Sequence, residues 1–250
     1  MRYVDLTHPW GLHTPPFFGN EGPSITYVRR FPVNHCVGMR IETSTHTGTH
    51  MDAPMHFVPN GGDMASIPLD RLIGEGVIVD VSNDVREWDE IKPEHLTKHI
   101  EIREGDIVLY YTGWDRYYYN RETRDEERYM CRHPGGGRDL AQWIVDMKLR
   151  WTGVDAASAD HPMNTFIRDR RPDLAREFER RVGRRVEDVY PPEELDIMHR
   201  LPFAHRIVHV ENLGGDVAQV LNRRCLIGAF PWKFEGGDAS ICRVVAFLEE

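Results

Sequence analysis

Thr45-His46-Thr47-Gly48-Thr49-His50-Met51-Asp52-Ala53-Pro54-Met55-His56-Phe57 is the stretch on which the reading of this chain turns. His46, His50, Asp52 and His56 all sit at even positions, and in extended backbone such positions share one face. A glycine, a proline and β-branched threonines disfavour a helix here. The run therefore predicts a strand and its exit loop, with three imidazoles and a carboxylate along one edge. Gly48 leaves that face open between His46 and His50, and Pro54 stiffens the backbone before His56. Two imidazoles with a carboxylate suit Zn²⁺, Mn²⁺ or Fe²⁺. Three protein ligands leave places for water, which is the pattern of a catalytic site rather than a structural one. A lone histidine would be read as a hydrogen-bonded core residue; three with an aspartate inside eleven residues are not.

Further along, a second group of metal-binding residue types runs from His199 through His205 and His209 to Glu211-Asn212-Leu213-Gly214. In a strand, Val208 and Val210 face a core while His209 and Glu211 share the opposite face. Glu211, just before a Gly-Gly turn, is placed to reach a metal. Spacing does not decide which of His199, His205 and His209 joins it.

The rest of the chain bounds the problem. Its 250 residues suit one large domain. It carries 31 basic against 40 acidic residues, a formal charge of −9, which argues against a nucleic-acid partner. No apolar run approaches the roughly 20 residues needed to span a bilayer. Residues 1–5 show no apolar signal core. Four scattered cysteines form no CxxC pair and suit a reducing cytoplasm. Strands are expected at 36–45, 76–81, 106–112, 206–210 and 241–248. Helices are expected at 138–147, from Pro93, at 172–182 and at 192–199. Strands outnumber helices and alternate with them irregularly, which favours a mixed α/β domain with a sizeable sheet. Residues 115–133, rich in tyrosine, and 168–194, with eight arginines between Arg168 and Arg185, read as insertions. Their charge pattern suits a solvated surface, a lid or a subunit contact.

At these residues the chain resembles the cyclase-like metal hydrolases, the family of bacterial kynurenine formamidase and isatin hydrolase. The family's His-x-Gly-Thr-His-x-Asp-x-Pro-x-His run is matched by His46 to His56 at every fixed position. Asp5-Leu6-Thr7 with Thr14 to Gly19 looks like its opening strand and substrate loop. Gly153 to Ser158 looks like its Gly-x-Asp-x-x-Ser segment, Glu211-Asn212-Leu213 like its Glu-Asn-Leu segment, and Phe230 to Leu248 like its closing hairpin.

The resemblance implies a single α/β domain over 1–250 with a mixed, barrel-like sheet flanked by helices, of the swivelling β/β/α type. It implies a first metal on His46, His50 and Asp52, and His56 as the acid–base residue. In two-metal members a histidine twelve residues before the glutamate shares the second metal. That picks His199 with Glu211, Asp52 bridging. The metal would be zinc or manganese, one or two per chain, and the protein a homodimer or homotetramer acting on a small molecule. Phe17 stands where the formamidases place a substrate-loop tryptophan, so the indole contact expected for a formylkynurenine substrate is absent.

The chemistry expected is hydrolysis of a C–N bond, in an aryl formamide or small cyclic amide, by a metal-activated water. Metal coordination lowers the pKa of water from near 16 to roughly 7. His56 would take the proton from that water and return it to the departing amine. Phe17, Phe18 and Trp10 are candidates for an aromatic wall, and Trp114 with the Tyr117 to Tyr119 run for a cover. His133, Asp160 and His161 are read as loop residues near strand ends. Two histidines and a carboxylate also make the facial triad of a non-haem iron oxygenase. That reading leaves His56 and the second cluster without a purpose, and the His-x-His pair common in cupin-type oxygenases is missing. A member that binds metal or ligand without turnover is the third reading; the intact His56 argues against it.

Overall fold

The computed structural model describes residues 1–249. Twelve strands occur among them: β1 (Arg2–Asp5), β2 (Ser24–Arg29), β3 (Gly38–Glu42), β4 (His50–Asp52), β5 (Ile73–Asp80), β6 (Glu90–Ile91), β7 (Ile107–Tyr111), β8 (Gly135–Gly136), β9 (Trp151–Val154), β10 (Val208–Glu211), β11 (Arg223–Pro231) and β12 (Ala239–Leu248). Eight of these form one sheet in the order β1-β12-β11-β5-β7-β9-β10-β4. A further pairing of β4 with β12 closes seven of them into a ring, and β1 extends the same edge of β12. Strands β5, β7, β9 and β10 run parallel; every other pairing in this sheet is antiparallel. The expected mixed, barrel-like sheet flanked by helices is therefore what the chain builds.

Alternation along the strands divides the core in two. Met51, Ile78, Ile107, Leu109, Trp151, Val208, Val210, Ile227, Val244 and Ala246 fill the barrel interior. Val77, Val79, Val108, Tyr110 and Val154 point outward, under the helices. Helix Arg138–Asp146 buries Leu140, Ala141 and Ile144 on one face. Helix Pro172–Val182 buries Leu174, Ala175 and Phe178. Its limits match the expected ones because the stop and start signals are local. Proline opens it, and Gly183 closes it in the left-handed region at φ 71°, donating to the Glu179 carbonyl at 2.8 Å.

Three expectations need correction. The 192–199 helix is displaced: Pro192–Glu194 forms a single 3₁₀ turn, and the helix runs Ile197–Ala204. Asp196, at φ 55°, breaks the chain between the two. The 36–45 strand contracts to β3. Residues 115–133 and 168–194 are not simply solvated surface. Tyr118, Tyr129, Met130 and Cys131 from the first, and Leu174, Phe178, Val186 and Tyr190 from the second, belong to the outer core. The arginines of the second lie mainly on the wet face. Arg171 pairs with Glu127 and Asp173, Arg181 with Asp89, and Arg185 with Glu187.

Candidate metal centre

The ring closure assembles the site. Strand β4 lies between β10 and β12, with His50 opposite Glu211 and Asp52 opposite His209. Met51 points into the barrel, so His50 and Asp52 point out of it, and His209 and Glu211 do the same beside Val208 and Val210. Four chemically active side chains are thus adjacent by register alone.

His46 and His56 reach this group by turns rather than by the extended run that parity suggested. Gly48 lies in the left-handed region at φ 71°, and a Cβ there would approach Thr14 Cγ2 to 2.8 Å. This bend folds His46 back over Asp52. His56 ends the 3₁₀ turn Pro54–His56. The shared face is real, but it is made by a glycine turn and a proline turn on either side of a three-residue strand.

Asp52 is central and 1% exposed. Its Oδ1 lies 3.1 Å from His46 Nδ1 and 3.3 Å from His50 Nε2. Its Oδ2 lies 3.4 Å from His199 Nε2, 3.6 Å from His209 Nε2 and 4.0 Å from His56 Nε2. Glu211 Oε1 is 3.5 Å from His199 Nε2 and 3.4 Å from His209 Nε2, while its Oε2 is 3.6 Å from His50 Nε2. Both oxygens of Asp52, His50 Nε2 and His209 Nε2 are buried with no hydrogen-bond partner among the described residues. Leaving such atoms unpaired in a core is costly. A divalent cation would satisfy them together, and imidazole with carboxylate is the donor set that zinc and manganese accept.

Three of the imidazoles are held on their far side as metal-ligating histidines are held. His50 Nδ1 donates to the Gly48 carbonyl at 2.8 Å. His46 Nε2 lies 3.0 Å from Asp238 Oδ2, and His199 Nδ1 lies 2.6 Å from Asp160 Oδ2. Asp160 also accepts from the Met198 amide at 3.0 Å, so one carboxylate fixes both the helix start and its imidazole. Ala159 N–H donates to Glu211 Oε1 at 2.9 Å.

The field of the site favours positive charge. Burial opposes protonation of His46, but the Asp52 and Asp238 carboxylates overcome it and push its pKa up to about 10. Burial likewise opposes ionisation of Asp52, yet His46, His199 and His209 hold it well below the usual carboxylate range. Glu211 is held down to about 2 against burial by His209 and His199. Asp238 is lowered by its hydrogen bond to His46 and by the His56 imidazole beside it. Carboxylates that hold protons on imidazoles would equally hold a cation, and metal binding would exchange one for the other.

All six residues expected in the metal and acid–base roles (His46, His50, Asp52, His56, His199, Glu211) meet here. Three others join them. His209 was an open alternative to His199; the register places both beside Asp52. Asp160 was read as a loop residue and is instead the partner of His199. Asp238 carried no local signal, being 192 residues from His46 in the chain. His205 lies elsewhere, in a surface cleft of about 560 Å³ with Arg71, Arg150 and Arg206. His133 and His161 are fully buried; His161 stacks on Tyr190 and faces the Trp88 carbonyl at 3.0 Å.

The aromatic candidates separate. Phe17 N–H donates to the His46 carbonyl at 3.1 Å, and Phe17 meets Phe166 edge-on at 5.7 Å. Phe18 lies 6.4 Å from the same ring. Trp10 Nε1 donates to the Thr47 carbonyl at 3.2 Å, bracing the Gly48 turn. Trp114 is no cover: it is a core residue, its amide held by Asp155 at 2.9 Å and its indole N–H by the Arg128 carbonyl at 2.9 Å.

Asp238→Asn is expected to weaken metal binding 10–100-fold, the usual effect of losing such an outer partner. Competition with a chromogenic chelator would measure it. Unchanged affinity would mean that Asp238 does not orient His46.

Residues 4–161 match the family model described as "Putative cyclase". Kynurenine formamidase of Erythrobacter litoralis is 29% identical over 216 residues, covering 86% of this chain and 77% of that protein. The enzyme of the same name from Salinibacter ruber is 39% identical over 115 residues, 45% of this chain and 52% of that one. A solved isatin hydrolase bound to the product analogue thioisatinate superposes with a TM-score of 0.78 at 19% identity, covering 99% of this chain and 92% of that one. With 158 residues matched by that family model, and the same fold in the superposed structure, this chain belongs to the cyclase family.

Proposed function

We propose that the protein is a metal-dependent hydrolase that cleaves the C–N bond of an aryl formamide or a small cyclic amide. The observation that carries this reading is the bridging position of Asp52, with two imidazoles facing each of its oxygens and the ligand atoms left unpaired. A divalent metal bound here, zinc or manganese, supplies a polarising Lewis acid and an acidified water. The protein's own residues do the rest. His46, His50 and Asp52 hold one position, and Asp52, His199 and Glu211 the other. His56, whose side chain is 28% exposed and whose Nδ1 lies 3.5 Å from Asp238 Oδ2, takes up a proton and delivers it to the leaving nitrogen. Phe17, Phe18 and Phe166 offer an aromatic wall beside His46 for a flat ring.

Metal-loaded and chelator-stripped protein should be compared on formanilides, isatin and small lactams. The reading predicts hydrolysis that disappears on stripping and returns with Zn²⁺ or Mn²⁺. Loaded protein inactive on every amide would contradict it, and oxygen consumption with bound iron would favour the oxygenase.

We further propose a cytoplasmic homo-oligomer. Four free cysteines suit a reducing compartment. Among the described residues no helix is long and apolar enough to cross a membrane. The β2–β3 hairpin and its turn hold out Tyr27, Val28, Phe31, Val33, Val37, Met39 and Ile41, each at least 50% exposed. Such a patch is the mark of a contact surface. Light scattering should give a dimer or tetramer for the wild type and a monomer for Phe31→Asp/Val33→Asp. A monomeric wild type would contradict the proposal.

A further inference from the structure

We infer that His209 is a fourth protein ligand of the second metal position, which makes that position a closed, non-exchanging site and leaves the chemistry to the first. The inference rests on the two-metal reading above and deepens it.

The geometry comes from strand register. His209 and Glu211 are two residues apart on β10 and point the same way, and His209 sits opposite Asp52. His199 enters from the covering helix. The four cross pairs between the two imidazole Nε2 atoms and the two carboxylate oxygens measure 3.4, 3.5, 3.6 and 3.4 Å. Ligand atoms on a tetrahedral ion with bonds of 2.0–2.2 Å stand about 3.3–3.6 Å apart. One ligand atom from each of the four residues lies within 4.8 Å of all the others. His209 Nε2 has no other partner, although the residue is only 2% exposed. A buried imidazole nitrogen aimed at two carboxylates and bonded to neither is placed for an ion between them.

The two positions then differ in kind. Asp52, His199, His209 and Glu211 complete a four-coordinate shell, and all are at most 6% exposed. On the proposed function His46, His50 and Asp52 would supply three ligands, and the side chains of His46 and the neighbouring His56 are 12% and 28% exposed. A full shell of buried protein ligands is the structural pattern; three ligands with an open place is the catalytic one. The second ion would therefore set the charge and posture of Asp52, and the first would meet substrate.

The test uses the full-length protein loaded with Zn²⁺ and, separately, Co²⁺. Metal release into a chromogenic chelator should be biphasic for the wild type: one equivalent leaves fast and the other at least tenfold slower. Cobalt in the slow position should give the intense visible absorption of a four-coordinate ion. His209→Leu should lose the slow phase and that absorption while keeping the fast equivalent and the wild-type circular dichroism. His209→Gln, which keeps a polar side chain of similar reach, decides the matter if the leucine variant does not fold, and the same loss is expected. The inference is overturned if either folded variant retains the slow phase, if the wild type releases both equivalents together, or if it never takes up a second. Amide hydrolysis is not the readout, so an inactive wild type that shows the biphasic release would sink the hydrolase reading and leave this one standing.

Discussion

Asp52→Asn is expected to empty both metal positions at once and to remove at least about three decades of kcat/KM, since a metal supplies several kcal/mol of transition-state stabilisation and each 1.36 kcal/mol is a decade. The size follows from the two-sided placement of this carboxylate. Oδ1 faces His46 and His50, and Oδ2 faces His199 and His209, all between 3.1 and 3.6 Å. An asparagine has nearly the same shape but offers one amide N–H₂ where the site needs an anionic oxygen. The fold should survive, because Met51 and Ala53 on either side keep β4 anchored in the core. Metal per chain, circular dichroism and turnover should be measured together. A folded variant that retains two equivalents would show that Asp52 does not bridge.

His56→Ala is expected to keep its metal and to lose about 10²–10⁴-fold in kcat, the usual contribution of a positioned proton-transfer group. His46, Asp52 and His56 lie close enough to form a ligand set on their own, so the alternative is real. Distance and exposure favour the proton-transfer role. His56 Nε2 stands 4.0 Å from Asp52, against 3.1 Å for His46 and 3.3 Å for His50. His56 is also the most exposed of these imidazoles, and its other nitrogen faces Asp238, as suits a group that exchanges protons with solvent. Full activity in the variant would end the assignment; loss of one metal equivalent would make His56 a ligand instead.

What was legible in the sequence was what is local. His46, His50, Asp52 and His56 announce themselves because one glycine turn, one short strand and one proline turn gather them with no help from the rest of the chain. The helix Pro172–Val182 was legible for the same reason, carrying its own start and stop. Glu211 was legible from strand parity and its place before the Gly-Gly turn, but His199 came through resemblance, since parity along β10 could say nothing of a helix arriving from outside the sheet. Asp238 and Asp160 were illegible as site residues. Each reaches its histidine only after the barrel closes through β4 and β12 or after the covering helix docks on β10, and single carboxylates in loops carry no periodic signal. Trp114 misled because an aromatic near a tyrosine run suggests a cover. Its burial is decided by Asp155, 41 residues away, which caps the turn beneath it. Strand β9 was missed for its brevity and its glycine. That glycine lets Leu109 and Leu213 close over the barrel, where a Cβ would stand 2.8 and 3.0 Å from them.

On the proposed function this cluster holds two divalent ions astride Asp52. Metal per chain by elemental analysis, on untagged protein purified without chelator, tests it most directly. Close to two equivalents of zinc or manganese are expected. Protein that carries no metal and takes none up on incubation with either ion would contradict it, and the hydrolase would go with it.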